Sequence, residues 1–332
     1  MAKKETVAFS KNATNIFFHI LTACNLKCRH CYINPEQHGR EMLGIGTIEK
    51  WLAAFTGKFR TANVIFLGGE PTLHPDLPQA VKSARRLGYQ SVTVDTNGYL
   101  FHDFLSKVTP SDLDYLSFSL DGAIPEVNDA LRGQGSYEAC LSGLQKAKSS
   151  GFSTSMIYTV SRANLDGLES MVPLLSDLKP DRFFIQVIGI RGKSVESMGQ
   201  NLQVSPDDWL RVIPRVARKI ADLGITVTYP KVFLERSETF ECAGNVADNY
   251  FIFPNGRVYQ CPLCEDFPLH SYQFAEDGLV GTPRINEADL FQLNIAEGCV
   301  INKLFQPGNI VYDDDGNPVY QIACCLLKEE IS

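Results

Sequence analysis

Three cysteines close together near the start of the chain are the residues best suited to bind a metal. Cys24, Cys28 and Cys31 are separated by three and two residues and follow a short apolar run over residues 16–21. Thiolates select soft metals and iron–sulfur clusters. Three ligands leave one iron of a four-iron cluster without a protein donor, and an open metal position can bind a substrate or cofactor. The alternatives are zinc, with His30 as a fourth ligand, and inert packing of the thiols.

A glycine-rich turn follows the second apolar run of the chain. Gly68, Gly69, Glu70 and Pro71 come directly after the apolar residues 63–67. Two glycines allow a ligand to approach the backbone closely, and a carboxylate here is placed to hold an ammonium group. The alternative is an ordinary turn between a strand and a helix, with a solvated glutamate.

Polar side chains also stand at the ends of the third and fourth apolar runs. Thr96 and Asn97 offer hydrogen bonds to a ribose or a carboxylate, although an Asn-Gly turn is common in its own right. Ser119 and Asp121 are suited to ribose hydroxyls, and Arg132 is suited to a bidentate pair with a carboxylate. For this second set, a helix cap and a surface arginine are the alternative.

The chain has ten cysteines. In a cytosolic chain such a number argues against disulfides and for metal sites. Cys140 lies in a helical pattern and is interpreted as an inert buried thiol. The last six form a second group after residue 241: Cys242, Cys261, Cys264, Cys299, Cys324 and Cys325. An Asn-Gly pair at residues 255–256, flanked by apolar residues, predicts a hairpin that brings Cys242 and Cys261 side by side. A structural zinc ribbon is the alternative.

The elements that position these residues alternate along the chain. Apolar runs that we interpret as strands cover residues 16–21, 63–67, 91–94, 115–120, 154–160 and 182–188, with helical patterns between them. This alternation predicts a parallel sheet curled into a full or partial barrel. Ligand chemistry in such folds gathers at the C-terminal ends of the strands, where the motifs of the first four runs fall.

Two helix caps and a domain boundary complete the expected organisation. Thr47 is predicted to cap the helix that follows the first cysteine loop, and Ser205 the helix over residues 206–223. A helix is also expected over residues 101–107. The predicted domains are residues 1–235 and a small cysteine-rich domain over residues 236–332.

Composition excludes several classes of function. The net charge is −7 and the isoelectric point is about 5.5, without a basic block, so no nucleic-acid partner is expected. No apolar run reaches the length of a membrane span, and no signal peptide is expected. We therefore expect a cytoplasmic protein without a membrane partner. Few residues precede the first strand, so no fused N-terminal peptide-binding module is expected either.

Together these motifs resemble the radical S-adenosylmethionine (SAM) superfamily. Cys24, Cys28 and Cys31, with Tyr32 directly after them, resemble its CxxxCxxC signature. Residues 68–71 resemble the GGEP motif that holds the methionine amino group of SAM. Residues 96–98 resemble its TNG strand end, and residues 119–133 resemble the S-x-D-G … D-x-x-R-G passage of members with auxiliary clusters. Residues 186–191 match loosely the strand end that supports the adenine, with an ordinary loop as the alternative.

The resemblance implies a fold, cofactors and ligands. It implies a partial (β/α)6 TIM-like barrel in which Cys24, Cys28 and Cys31 hold a [4Fe-4S] cluster whose open iron chelates SAM. It also implies a set of SAM contacts: Tyr32, Gly68, Gly69, Glu70, Thr96, Asn97, Ser119, Asp121 and Arg132. A low-potential electron donor such as flavodoxin or ferredoxin is the implied partner.

The C-terminal cysteines resemble a second family feature. Thirteen residues separate Cys242 from Gly256, and four more separate Gly256 from Cys261, as at the start of the SPASM and twitch domains that bind auxiliary clusters. A full SPASM domain has seven cysteines and a later CxxCx5Cx3C run, which this chain lacks. One auxiliary [4Fe-4S] cluster is therefore expected rather than two. Cys242 and Cys261 are its expected ligands, and the remaining ligands come from Cys264, Cys299, Cys324 and Cys325.

As implied by the resemblance, the chain is an enzyme of oxidoreductase or maturase type. It would cleave SAM reductively to a 5′-deoxyadenosyl radical that abstracts a substrate hydrogen. Members with such C-terminal domains mostly modify peptides or proteins, which makes this the first hypothesis. A small-molecule dehydrogenase or a tailoring enzyme of a cofactor or natural-product pathway is the second. A non-catalytic iron–sulfur or zinc-binding protein is the third, and it leaves the GGEP motif unexplained.

Overall fold

A computed structural model describes residues 4–7, 13–56, 61–99, 103–196, 202–235 and 237–332. Its strands, in chain order, are β1 (Lys4–Val7), β2 (Ala13–His19), β3 (Thr61–Leu67), β4 (Ser91–Thr96), β5 (Tyr115–Ser119), β6 (Thr154–Val160), β7 (Arg182–Val187), β8 (Thr226–Pro230), β9 (Phe233–Leu234), β10 (Asp248–Ile252), β11 (Arg257–Tyr259), β12 (Tyr272–Ala275), β13 (Gly278–Gly281), β14 (Gln321–Ile322) and β15 (Lys328–Ile331).

The helices are α1 (Pro35–His38), α2 (Ile45–Ala53), α3 (Leu77–Arg86), α4 (Phe104–Lys107), α5 (Pro125–Arg132), α6 (Ser136–Ser149), α7 (Met171–Leu178), α8 (Lys193–Glu196), α9 (Pro206–Ala221), α10 (Ala243–Val246), α11 (Glu287–Phe291) and α12 (Val300–Phe305). Most of the longer ones lie between consecutive strands of the first 230 residues. Within the described ranges, no helix combines the length and apolarity needed to cross a bilayer.

A parallel sheet forms the core of the molecule. Strands β2 to β8 lie side by side in chain order, and each pairs in parallel with the next. Each crossover between neighbours returns the chain to the start of the next strand, as βαβ units require. The predicted partial TIM-like barrel is confirmed.

The two faces of this sheet have different burial. In β4, Val92 and Val94 are fully buried, whereas Thr93 and Asp95 are half-buried. Because successive side chains of a strand point to opposite faces, the valines pack under the outer helices and Asp95 lies on the inner face. Strands β2 and β3 show the same alternation. The inner face is therefore the more open one, and it carries polar side chains.

The C-terminal segment extends the same sheet at both edges. Strand β10 pairs in parallel with β2, and the predicted hairpin of β10 and β11 is confirmed by the pairing of Phe251 with Tyr259. Strands β12 and β13 continue this edge. At the other edge β15 pairs antiparallel with β8, and β1 pairs with β15. One sheet of thirteen strands thus contains both proposed domains, and the division at residue 235 stays a prediction.

The predicted helix boundaries were correct where a side chain caps the helix. Ser205 caps α9, since its hydroxyl accepts a hydrogen bond from the Asp208 amide at 3.2 Å. The expectation for Thr47 was wrong, because α2 begins at Ile45 and Gly44 occupies the cap position. Of the helix expected over residues 101–107, the first two residues lie outside the described ranges and α4 covers Phe104–Lys107. Helix α5 was not predicted.

Candidate active site

The first cysteine loop runs from the end of β2 across the end of β3. The amide of Gly69 donates to the Leu21 carbonyl at 3.0 Å, and the amide of Glu70 donates to the Ala23 carbonyl at 3.0 Å. A Cβ atom on Gly69 would lie 2.3 Å from the Ala23 oxygen, and one on Gly68 would lie 2.6 Å from the Leu21 oxygen. The close approach that these glycines permit is therefore to the cysteine loop itself, whereas the sequence suggested an approach to a ligand.

Glu70 joins the ends of β3 and β4. Its side chain is 1% exposed. Oε1 accepts hydrogen bonds from the Thr72 amide at 3.1 Å, the Thr72 hydroxyl at 2.6 Å and the Thr96 hydroxyl at 2.7 Å. Oε2 accepts from the Asn97 amide at 2.7 Å. A carboxylate has about four acceptor positions, so protein donors use most of its capacity. Glu70 organises the strand ends, and its contact with a SAM ammonium stays a prediction.

Asn97 connects β4 to the cysteine loop. Its Nδ2 donates to Asn25 Oδ1 at 2.9 Å and lies 3.9 Å from Cys24 Sγ. Partial desolvation raises the pKa of the Cys24 thiol, and the charges of Glu70, Cys28 and Cys31 raise it further. The three cysteines predicted to share a site therefore lie within electrostatic range of one another, with Asn97 beside them.

A buried ion pair lies below the same loop. Asp121 is fully buried, and its Oδ2 lies 2.5 Å from Arg132 Nε and 3.1 Å from His30 Nε2. Burial alone would raise the pKa of Asp121, but the Arg132 guanidinium and His30 hold it well below its usual range. The Cys28 thiol is 3.8 Å from the Arg132 carbonyl. Asp121 and Arg132 thus contact each other, and their predicted contacts with ribose and carboxylate remain predictions.

Ser119 and Tyr32 lie on the inner side of the barrel. Ser119 is half-buried at the end of β5. The Tyr32 hydroxyl lies 2.7 Å from Nε2 of His19, the last residue of β2. His19 was not predicted as a site residue, although it interrupts an apolar run, and that interruption was the available signal.

The six C-terminal cysteines come together in one group. Burial raises the pKa of the Cys299 thiol, and the charges of Cys261, Cys242 and Cys325 raise it further. The thiols of Cys261 and Cys264 raise or lower one another's pKa, and so do those of Cys324 and Cys325. The Cys299 amide donates a hydrogen bond to the Ile322 carbonyl at 3.1 Å. Because Ile322 closely precedes Cys324 and Cys325, this bond brings those two cysteines near Cys299. The grouping agrees with a shared site, but the structure does not select four ligands among the six.

A buried carboxylate that the sequence did not reveal shapes the second cysteine group. Glu287 is fully buried and accepts hydrogen bonds from the amides of Gln260 at 2.6 Å and Cys261 at 3.1 Å. It also accepts one from the Ser271 hydroxyl at 2.8 Å. Burial raises the pKa of Glu287 to about 7. A glutamate in the first turn of α11 is ordinary in sequence, so only its three-dimensional partners reveal this role.

The chemistry of the donors fits iron–sulfur clusters at both places. Each group consists of thiols, which are the ligands that such clusters take. Within the described ranges, no three His, Cys, Asp or Glu side chains converge as ligands of a single metal ion. The three residues that would hold the first cluster are Cys24, Cys28 and Cys31, and those of the second belong to the C-terminal group.

Sequence comparison relates the first half of the chain to known proteins. The family model of the radical SAM superfamily matches residues 19–175. The Fe-coproporphyrin III synthase of Methanosarcina barkeri is 31% identical over 200 residues, which are 59% of this chain and 49% of that protein. A probable GTP 3′,8-cyclase of Sulfolobus acidocaldarius is 29% identical over 165 residues, 49% of this chain and 52% of the cyclase. This chain spans about half the length of the curated relatives it matches.

Structural comparison extends the similarity over most of the chain. SuiB of Streptococcus suis superposes with a TM-score of 0.63 at 15% identity, covering 92% of this chain and 67% of SuiB. Structures of SuiB bound to its precursor peptide SuiA and to S-adenosylmethionine give TM-scores of 0.61 and 0.62, both at 14% identity. They cover 90% and 92% of this chain and 66% and 67% of SuiB. At this level of identity the likeness establishes a shared fold.

Proposed function

Because this chain belongs to the radical SAM superfamily, we propose that it cleaves SAM reductively and uses the resulting radical to abstract a hydrogen from a peptide or protein substrate. The observation that carries the proposal is the meeting of Cys24, Glu70 and Asn97 at the C-terminal ends of β2, β3 and β4. Parallel α/β folds hold their cofactors at this end of the sheet.

In the proposed site, each residue of the chain has a defined task. Cys24, Cys28 and Cys31 would hold a [4Fe-4S] cluster. When bound, this cluster and SAM would supply the electron and the 5′-deoxyadenosyl group that the reaction requires. Glu70 and Asn97 fix the loop that carries the cysteines, through the hydrogen bonds given above. Ser119, which is half-buried at the end of β5, would contact SAM or substrate.

The C-terminal cysteine group is proposed to hold one auxiliary [4Fe-4S] cluster. Two of these thiols are buried and four are half-buried, and the buried carboxylate of Glu287 orders the backbone at Cys261. Cys242 and Cys261 remain the proposed ligands, with the others drawn from Cys264, Cys299, Cys324 and Cys325. Such a cluster would accept an electron from the product radical or ligate the substrate.

Two observations bear on the substrate class. The shared fold with SuiB, which binds a precursor peptide, favours a peptide substrate. The curated relatives named above carry the names of a coproporphyrin synthase and a GTP cyclase, and this favours the second candidate, a small-molecule enzyme. To distinguish the two candidates, the protein is incubated with SAM, a reductant and a synthetic peptide whose sequence is encoded by a gene next to this one. A change in the mass of the peptide would support the peptide substrate.

The test of the proposed chemistry combines metal content with product formation. Protein reconstituted without oxygen is assayed for iron, labile sulfide and 5′-deoxyadenosine under a strong reductant. Two clusters correspond to roughly eight iron atoms per chain, and roughly twelve would indicate a third cluster. Roughly four would restrict the proposal to the first site. Absence of 5′-deoxyadenosine from protein whose cluster is demonstrably reduced would contradict it.

Two cysteine variants assign the sites separately. Cys28→Ala should abolish SAM cleavage, and Cys261→Ala should lower the iron content by about one cluster, roughly four atoms. Cys140→Ala is the matched control, because Cys140 is a fully buried thiol of α6 that belongs to neither proposed ligand set. It should keep full iron and full cleavage. Retained cleavage in Cys28→Ala or full iron in Cys261→Ala would contradict the corresponding assignment.

A further inference from the structure

A half-buried arginine contacts segments of both cysteine groups. Arg191 follows the end of β7, and its side chain is 19% exposed. Its guanidinium carbon lies 4.5 Å from the centre of the Tyr32 ring. Its Nη1 donates to the Pro262 carbonyl at 2.7 Å and pairs with the buried carboxylate of Glu265. The loose sequence match at residues 186–191 suggested an adenine contact, but these contacts link the first cysteine loop to the C-terminal segment.

On one side, this loop holds the end of the first cysteine motif. Tyr32 follows Cys31 directly, and its ring is covered by the Arg191 guanidinium. The amide of Lys193 donates to the Cys31 carbonyl at 2.9 Å. A Cβ atom on Gly192 would lie 2.6 Å from the same carbonyl oxygen, so the two backbones touch. The position of Cys31 is therefore tied to the loop that carries Arg191.

On the other side, the loop holds the turn between two C-terminal cysteines. Pro262, which accepts the hydrogen bond from Arg191, lies between Cys261 and Cys264. The amide of Gly192 donates to Asp266 Oδ2 at 2.6 Å. The charge of Arg191 also acts on Cys325. The guanidinium thus contacts the turn between Cys261 and Cys264 and interacts electrostatically with Cys325.

The charges around this arginine define the local field. Glu265 pairs with Arg191, and Asp266 and Cys325 also interact with its charge. Lys328 is a second cation acting on Cys325. A fixed cation in a poorly solvated site stabilises added negative charge more strongly than one in water. The net charge and hydrogen bonds around a cluster set its reduction potential.

We propose that Arg191 is a positioning residue that fixes the Cys31–Tyr32 and Cys261–Cys264 segments against each other, and that its charge raises the reduction potential of a cluster bound by the C-terminal cysteines. This inference rests on the auxiliary cluster proposed above. It assigns to Arg191 a role in setting the reduction potential of the second site that neither cysteine motif indicates.

The test compares variants in which only the guanidinium charge differs. Replacing Arg191 alone would leave the Glu265 carboxylate without its partner. Glu265 would then take up a proton, and this would cancel the change in local charge that is meant to alter the reduction potential. Glu265→Gln is therefore compared with the double variant Arg191→Gln/Glu265→Gln, and both are reconstituted without oxygen. The potential of each cluster is measured by a redox titration followed by electron paramagnetic resonance. Loss of the charge should shift the reduction equilibrium of the second cluster at least tenfold toward the oxidised form, which is about 59 mV for one electron.

A lysine variant separates charge from packing. Arg191→Lys/Glu265→Gln keeps the cation but loses the planar group over Tyr32. The reduction potential of its second cluster should therefore lie close to that of Glu265→Gln and above that of Arg191→Gln/Glu265→Gln. If the Glu265→Gln variants do not fold, the same Arg191 substitutions are compared in a Glu265→Met background, which is uncharged and of similar length. Equal potentials in the lysine and glutamine variants with full iron would overturn the inference and leave the auxiliary cluster intact. Wild-type protein with only one cluster would overturn this inference together with the proposed auxiliary cluster, and would leave the proposed SAM cleavage standing.

Discussion

The Thr96 hydroxyl donates a hydrogen bond to Glu70 Oε1 across 2.7 Å, and this bond joins the ends of two neighbouring parallel strands. The second oxygen of Glu70 accepts from the Asn97 amide, and the Asn97 side chain donates to Asn25. A continuous set of hydrogen bonds therefore runs from β3 through β4 to the first cysteine loop. Glu70 shapes that loop although it is far from it in sequence.

Glu70→Ala should destabilise the protein, because it removes the carboxylate that accepts hydrogen bonds from the buried donors of Thr96 and Asn97. Each unsatisfied buried donor costs about 1–3 kcal/mol, so we expect the free energy of unfolding to fall by about 3 kcal/mol or more. Urea denaturation of the metal-free protein measures it. Glu276→Ala is the control, since Glu276 is exposed and its replacement should change stability by less than about 0.5 kcal/mol. Equal effects of the two variants would contradict the structural role of Glu70.

Gly69→Ala should displace the cysteine loop. The new methyl group would lie 2.3 Å from the Ala23 carbonyl oxygen and 2.4 Å from that of Thr22, both backbone atoms. We expect a loss of about 2–4 kcal/mol in unfolding free energy together with loss of SAM cleavage. Gly46→Ala is the matched control. Gly46 lies in α2 with nothing near its Cβ position, so alanine should stabilise by up to about 1 kcal/mol. Unaltered cleavage in Gly69→Ala would show that the loop accommodates the methyl group.

Local patterns were enough to predict the central sheet. Strand β6 covers Thr154–Val160, the same residues that the apolar run predicted. The cap at Ser205 was equally local, because a serine next to a proline at the first helical position acts through the chain's own backbone. The first cysteine loop could also be predicted from the spacing of Cys24, Cys28 and Cys31.

Contacts between distant segments could not be predicted in this way. Asp248 of β10 pairs with Thr14 of β2, so the C-terminal hairpin joins the sheet at an edge that no local pattern identifies. The partners of Glu287 and Arg191 are likewise set by tertiary packing. Gly69 shows a subtler limit. Its need for space was evident, but the group that approaches it is another part of the same chain.

Asp95 should make stability depend on pH near neutrality. The pKa of Asp95 is raised to about 7, chiefly by burial. A hydrogen bond from Ser117 lowers this pKa, and the charge of Glu70 raises it. An unfolded aspartate has a pKa near 3.9, so the folded state binds the proton more tightly than the unfolded state does. The stability that this bound proton contributes is lost as pH rises through about 7. Asp95→Asn should therefore resemble the wild type near pH 4 and be more stable at pH 8, by about 2 kcal/mol after allowance for partial exposure. Urea denaturation at both pH values is the measurement. A difference that does not change with pH would rule out this titration.

Asp121→Asn should expose the dependence of the fold on a buried ion pair. The substitution leaves the Arg132 guanidinium, 2.5 Å from Asp121 in the wild type, buried without its counter-charge. Removing one partner of a buried pair costs about 3–5 kcal/mol, and we expect this loss at pH 7. Because the pKa of Asp121 is lowered in the folded state, its contribution is present above about pH 4 and falls as pH drops below that value.

The pH dependence separates the lost charge from a packing defect. The deficit of Asp121→Asn should be smaller by about 1 kcal/mol at pH 3 than at pH 5, because the unfolded wild type takes up the proton at pH 3. Asp277→Asn, at an exposed turn, is the control and should change little at any pH. A deficit that stays the same at pH 3 would mean that the asparagine fails through its shape. In that case the loss of the negative charge beside Arg132 would not be the cause of the instability.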